Sequence, residues 1–184
     1  MRLGLIRHFE VTEPWPRGWR TAAELHAWRA RYEQAAVHPV PVTLGDGPWE
    51  ACLSSPLARA VRTAQAVFPG PVETTPLLRE AEFACFQTGR LRLPVWVWGW
   101  VFRTAWLTGH RSQRAERDAF LGRVRAAADL LEARRGNVLV VSHAGMMVYL
   151  GAELRRRGFA GPRLWMPDHA RLYVFEREAG QPAA

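Results

Sequence analysis

Two histidines each follow an apolar segment that predicts a buried strand. His8 comes after residues 3–6 and Arg7, and His143 comes directly after the run NVLVVS at residues 137–142. In an open α/β sheet, ligands bind beyond the carboxyl ends of the strands, so we expect both imidazoles at one edge of the sheet. A neutral imidazole at such an edge can act as a nucleophile or as a proton carrier.

Charged side chains accompany these histidines. Arg7 is adjacent to His8, Arg59 lies in the first turn of a predicted helix, and Glu80 lies just beyond a predicted strand. Arginine binds phosphate through two parallel hydrogen bonds, and a helix N-terminus also attracts anions. Because no set of cysteine ligands accompanies the group, it favours phosphate chemistry on histidine over metal chemistry.

Strand and helix patterns alternate along the chain, without an internal repeat or a linker. This order predicts a three-layer α/β/α sandwich with a largely parallel sheet, formed by residues 1–184 as a single domain. The predicted strands lie at about residues 3–6, 51–54, 72–74, 137–142 and 172–176, and the predicted helices at about residues 21–36, 55–68, 120–134 and 144–157.

The second of these helices matters most for the site. Ser55 and Pro56 predict its start, since serine is a favoured cap and proline is favoured at the first helical position. Its expected core-facing stripe is Leu57, Val61, Ala64 and Phe68. That stripe leaves Arg59 and Arg62 off the buried face.

Residues 93–107 carry an unusual density of aromatic side chains. Alternation from Trp96 to Phe102 is typical of a strand, whereas Trp98, Phe102 and Trp106 have helical spacing, and periodicity alone does not decide between them. Three roles stay open for this segment: an apolar lid over a substrate, a helix packed into the core or a homodimer interface, and a shallow membrane contact.

Composition excludes several classes of protein. The net charge is +8 and every basic residue is arginine, but no basic stripe or nucleic-acid-binding motif accompanies the charge, so we expect no nucleic-acid partner. Cys52 and Cys85 offer neither a disulfide framework nor a CxxC motif. The apolar run before Arg7 is too short for a signal peptide, and residues 93–102 are about half a membrane span. We therefore expect a cytoplasmic protein with no stable membrane insertion.

Four short motifs occur in the order seen in the histidine phosphatases. They are RHFE at residues 7–10, SSPLARA at 54–60, LRE at 78–80 and SHAG at 142–145. Together they resemble the superfamily that includes the cofactor-dependent phosphoglycerate mutases and α-ribazole phosphatase. The resemblance covers nearly the whole chain, is weakest at residues 91–113, and implies a phosphoglycerate mutase-like fold.

The resemblance also implies a set of roles. His8 would attack phosphorus and form a phosphohistidine, and Glu80 would be general acid and then general base. Arg7, Arg59 and His143 would surround the transferring phosphoryl group, while Arg62 and Glu10 would add to substrate binding. The scheme needs no metal and no organic cofactor. The expected partner of the protein is a small phosphorylated metabolite.

The chain departs from the family pattern at two glycines. Phe9 stands where the family has a glycine after the nucleophile, and Ala144 replaces the first glycine after the second histidine. A bulky residue at position 9 would be strained if the backbone there needed a positive φ. The short chain favours a phosphatase over a mutase, which carries extra segments to exclude water. The alternatives are mutase-type phosphoryl transfer, or a phosphate-binding protein disabled by Phe9.

Overall fold

The computed structural model describes residues 1–46, 48–82, 84, 86, 88–134 and 136–178. Cys85, and Arg135 at the predicted end of a helix, lie outside the described residues. The strands are β1 (Arg2–Arg7), β2 (Glu10–Val11), β3 (Trp19–Arg20), β4 (Val37–His38), β5 (Ala51–Ser54), β6 (Val72–Thr74), β7 (Leu93–Pro94), β8 (Val138–Ser142) and β9 (Leu172–Glu176). The helices are α1 (Ala22–Gln34), α2 (Ala58–Val67), α3 (Val95–Leu107), α4 (Arg114–Ala133) and α5 (Ala144–Arg156), with a single 3₁₀ turn at Pro76–Leu78.

The main sheet has the strand order β6-β5-β8-β1-β9. The pairs β6–β5, β5–β8 and β8–β1 are parallel, and β9 closes one edge as an antiparallel strand. The α/β architecture with a largely parallel sheet is therefore confirmed. Because β1 and β8 are parallel neighbours, their carboxyl ends, which carry His8 and His143, lie side by side.

Helices cover both faces of the sheet. Leu3 and Leu5 of β1 pack into the apolar cluster that includes α4 and α5, while Ile6 packs into the cluster that includes α2. The strand β8 divides in the same way, with Val138 and Val140 on one side and Leu139 and Val141 on the other. A strand that is buried on both faces has a continuous apolar sequence, and the sequences of β1 and β8 show this pattern.

The start and the buried face of the helix α2 differ from the prediction. It begins at Ala58, and its N-cap residue Leu57 makes no side-chain capping bond, so Ser55 is not the cap. The hydroxyl Oγ of Ser55 instead lies 2.8 Å from His143 Nε2. The buried residues of α2 are Arg59, Ala60, Thr63 and Ala64, so Ala64 is the one member of the expected stripe that is fully buried. Arg59 therefore points inward, which the apolar pattern could not indicate.

The tryptophan-rich segment is a helix. It forms α3, preceded by the short strand β7, which pairs with β3. Trp98 and Trp106 are buried, whereas Trp96 and Trp100 are 69% and 65% exposed. No helix in the described part of the chain is long and apolar enough to cross a membrane.

Candidate active site

His8 is buried at the carboxyl end of β1. Its Nδ1 lies 2.6 Å from the carbonyl oxygen of Phe9, which can only accept a hydrogen bond, so we assign the ring proton to Nδ1. The other ring nitrogen, Nε2, is then unprotonated and accepts a hydrogen bond from Arg59 Nε at 3.3 Å. Burial lowers the pKa of His8 to about 3, so the ring is neutral at physiological pH.

The second histidine lies against the first because of the strand register. His8 N–H donates to the carbonyl oxygen of Ser142 at 3.0 Å, and the ring centroids of His8 and His143 are 5.1 Å apart. His143 is the N-cap residue of α5, and burial holds its pKa well below the ordinary value. Ser55 Oγ donates to His143 Nε2 in our assignment, which places the imidazole proton on Nδ1.

Two arginines complete the positive side of the site. Arg59 is buried on α2, with its guanidinium 5.2 Å from the ring centroid of Tyr32. Arg7 is half-buried at the end of β1, and its Nη1 donates to the carbonyl oxygen of Pro167 at 2.9 Å. Burial lowers the pKa of both guanidinium groups, while the nearby phenol of Tyr32 and carboxylate of Glu80 act in the opposite direction.

Three buried nitrogen atoms around His8 have no hydrogen-bond partner among the described residues. They are Arg7 Nε, Arg59 Nη1 and His143 Nδ1. Leaving a buried donor unpaired costs about 1–3 kcal/mol, more when the group is charged. Three such donors on neighbouring side chains therefore favour a site that takes an anion.

Glu80 lies just past the 3₁₀ turn and reaches the N-terminus of α5. Its Oε2 accepts from Gly145 N at 3.1 Å, and its Oε1 accepts from Met146 N at 3.0 Å and Ala81 N at 2.9 Å. The carboxyl group is thus fixed by the second and third residues after His143. A Cβ atom at Gly145 would lie 2.5 Å from Glu80 Oε1, so the glycine is required for this approach.

The two departures from the family pattern do not distort the site. Among the described non-glycine residues only Ala170 has a positive φ, so the backbone at Phe9 is unstrained. Phe9 is buried, and its N–H donates to Thr63 Oγ1 at 2.9 Å. Ala144 is the first residue of α5. A side chain is tolerated at both positions.

The structure brings together five of the seven predicted site residues: His8, His143, Arg7, Arg59 and Glu80. It does not bring Arg62 to them, because Arg62 is exposed on α2 while Arg59 is buried. Glu10 is exposed in β2 at the margin of the site; burial lowers the pKa of Arg7 and of His169, and the charge of Glu10 offsets a small part of that lowering.

Sequence reasoning missed supporting residues. Ser55 contacts His143, Tyr32 lies beside Arg59, and Thr63 accepts from Phe9 N. His169 donates from Nδ1 to the carbonyl oxygen of His8 at 2.7 Å, and its ring centroid lies 5.2 Å from that of His8. Only Ser55 stood in a recognisable motif; the others reach the site through tertiary packing, which local spacing does not indicate.

The comparison with protein families agrees with this geometry. The model of the histidine phosphatase superfamily (branch 1) matches residues 16–184. The chain belongs to the histidine phosphatase superfamily. The match begins beyond Arg7 and His8, so the placement of these two residues beside His143 comes from the fold described above.

Solved structures give the same fold. The α-ribazole phosphatase from Shigella flexneri is 25% identical, with a TM-score of 0.56 over 95% of this chain and 89% of that one. The YhfR protein of Bacillus stearothermophilus is 22% identical, with a TM-score of 0.57 over 98% of this chain and 93% of that one. No curated protein sequence matches the chain. Family membership supports a phosphatase or phosphoryl-transfer activity.

Proposed function

We propose that the protein hydrolyses phosphomonoesters of small metabolites through a phosphohistidine formed on His8 Nε2. The observation that carries this proposal is the set of three unpartnered buried donors, Arg7 Nε, Arg59 Nη1 and His143 Nδ1, around an unprotonated imidazole nitrogen. A dianionic phosphoryl group presents acceptor oxygens to all three donors, and the charge that develops in the transition state strengthens these bonds.

In the first step, the lone pair of His8 Nε2 attacks phosphorus and the bond from phosphorus to the ester oxygen breaks. The Phe9 carbonyl oxygen accepts from Nδ1–H, which orients the ring and stabilises the positive charge that the imidazole gains. Glu80, in its protonated form, donates its proton to the leaving oxygen. Oε2 is the better placed oxygen to carry this proton, because it accepts one hydrogen bond whereas Oε1 accepts two.

In the second step, a water molecule attacks the phosphohistidine. Glu80, now a carboxylate, takes a proton from that water, the phosphorus–nitrogen bond breaks, and its electron pair returns to Nε2. The products are the alcohol and inorganic phosphate. We propose this scheme for residues 1–184 acting as one domain, with no metal and no organic cofactor.

The direct test is hydrolysis of 4-nitrophenyl phosphate by the purified protein with a chelator present. We expect turnover that is lost in His8→Ala, while binding of inorganic phosphate persists in that variant because Arg7, Arg59 and His143 remain. Equal turnover in both proteins would exclude the covalent scheme. Phosphate binding without turnover in the wild-type protein would favour the disabled phosphate-binding alternative instead.

A further inference from the structure

A large cleft lies beside the phosphate-binding residues, between α1 and α3. It has a volume of about 550 Å³, and five of its lining residues are Trp15, Trp28, Trp96, Trp98 and Trp100. A second cavity of about 360 Å³ shares three lining residues with it, Arg29, Arg103 and Met166. We call these two joined cavities the aromatic cleft. Their combined extent is in the range that accommodates a sizeable organic ligand.

The aromatic cleft adjoins the proposed phosphate pocket at two places. Its smaller cavity is lined by Glu80 and Gly145, which are hydrogen-bonded to each other next to His143. Along α1, a series of ring contacts connects the wall of the larger cavity with Arg59. The centroids of Trp15 and Trp28 are 4.8 Å apart, those of Trp28 and Tyr32 are 5.2 Å apart, and the Arg59 guanidinium lies 5.2 Å from the centroid of Tyr32.

Several polar atoms of the cleft walls already have partners. Trp28 Nε1 donates to the carbonyl oxygen of Pro14 at 2.9 Å, and Trp98 Nε1 donates to that of Arg20 at 2.7 Å. Arg29 donates to Glu33 Oε1 and to the carbonyl oxygen of Ala81. With these bonds made, Trp28 and Trp98 offer the cleft mainly the apolar surfaces of their indole rings.

The charged and the aromatic side chains are distributed unequally between the two cavities of the cleft. Arg29 and Arg103 line both cavities, whereas five tryptophans line only the larger one, which does not include Glu80. The charge of Arg29 acts on both Arg59 and His143. This arrangement matches a ligand that is anionic at one end and apolar at the other.

From this adjacency we infer that the aromatic cleft binds the alcohol part of the substrate, which is a phosphomonoester with a large apolar group. The inference rests on the proposed function for the position of the phosphoryl group. The apolar group lies against Trp96 and Trp100, whose exposed rings bury surface only when the ligand is present. A longer apolar group should then bind more tightly, by roughly fourfold for each methylene that is fully buried.

Calorimetric titration with butylphosphonate and octylphosphonate tests the inference. Phosphonates are not hydrolysed, so the affinities are measured whether or not His8 acts as a nucleophile. We expect octylphosphonate to bind the wild-type protein about tenfold or more tighter than butylphosphonate. In the double variant Trp96→Ala, Trp100→Ala this ratio should fall to about threefold or less. Both residues are exposed, so the variant should keep its fold, which circular dichroism checks.

The matched control is Trp19→Ala, because Trp19 is 60% exposed and does not line either cavity. It should keep the wild-type ratio. Equal affinity of the two phosphonates for the wild-type protein would overturn the inference, and so would an equal loss in the control. A lower sedimentation mass of the double variant with an unchanged ratio would assign the tryptophans to an interface between two copies, and would also overturn it.

The experiments can reject the proposed function without rejecting the proposed ligand class, and the reverse. Dependence on chain length without hydrolysis of any phosphomonoester would reject the proposed function and keep the ligand class. Hydrolysis of 4-nitrophenyl phosphate without dependence on chain length would keep the function and reject the ligand class.

Discussion

Arg59 Nε donates a hydrogen bond to His8 Nε2 at 3.3 Å, so a cation lies directly on the nitrogen that we assign as the nucleophile. The positive charge of Arg59 helps to hold the pKa of His8 down, after burial as the larger cause, and keeps Nε2 unprotonated. When a phosphoryl group enters, the same guanidinium can bind its oxygens. Arg59 thus protects the nucleophile before the reaction and stabilises the charge that develops during it.

This arrangement predicts a large effect of Arg59→Lys. Lysine keeps the charge but not the planar set of donors, so we expect kcat/KM for 4-nitrophenyl phosphate to fall by about 10²- to 10³-fold. Arg62→Lys is the matched control, since it makes the same change at an exposed position of the same helix. The control should stay within about twofold of the wild-type rate. A similar loss in both variants would mean that Arg62 also contacts the substrate.

The general-acid role of Glu80 predicts that Glu80→Gln depends on the leaving group. We expect a loss in kcat/KM of about 10²-fold or more for an alkyl phosphate, and a much smaller loss for 4-nitrophenyl phosphate, whose leaving group needs no proton. Glu82→Gln changes an exposed carboxylate paired with Arg79 and serves as control. An equal loss for both substrates in Glu80→Gln would contradict proton donation by Glu80.

Contact between Glu80 and Gly145 predicts that Gly145→Ala is harmful. The added Cβ would lie 2.5 Å from Glu80 Oε1, so the carboxyl group must move and its hydrogen bonds to α5 must weaken. We expect lower activity and a lower melting temperature. Gly122→Ala on α4 is the control, because no atom lies within 4 Å of its added Cβ. It should raise the free energy of unfolding by up to about 1 kcal/mol through helix propensity. Wild-type activity in Gly145→Ala would argue against a fixed Glu80.

Much of this site could be predicted from the sequence, because its main residues follow strands or begin helices. Apolar runs before His8 and His143 predicted their positions, and parallel pairing of the two strands brings their rings together. The inward face of α2 could not be predicted, since it contains a charged residue, Arg59, that apolar spacing places outside. His169 reaches His8 from a distant part of the chain through a bridge to Arg7, a tertiary contact with no local pattern.

The lowered pKa of His8 predicts how stability depends on pH. The folded-state pKa of about 3 is below the ordinary value of 6.5, so between these values the unfolded chain binds more protons than the folded one. The contribution of His8 is therefore fully present above pH 6.5 and is lost as pH falls toward 3, at up to about 1.4 kcal/mol per pH unit. Burial also lowers the pKa of His143, so this residue likewise makes the free energy of unfolding decrease as the pH falls.

Chemical denaturation of the wild-type protein and His8→Gln between pH 7 and pH 4 checks this prediction. The glutamine variant should show a shallower loss of unfolding free energy on acidification, because it has one fewer buried imidazole to protonate. His110→Gln is the control, since His110 is exposed. Parallel curves for the wild-type protein and His8→Gln would show that His8 does not carry the pH dependence.

The most direct test of the account is to trap the covalent intermediate. The protein would be mixed with a ³²P-labelled phosphomonoester, quenched in alkali within milliseconds, and digested for peptide mapping. We predict label on the peptide that contains His8, stable to alkali and lost in acid, and absent from His8→Ala. Catalytic turnover with no label on His8, or with label on His143 instead, would contradict the assignment of His8 as the nucleophile.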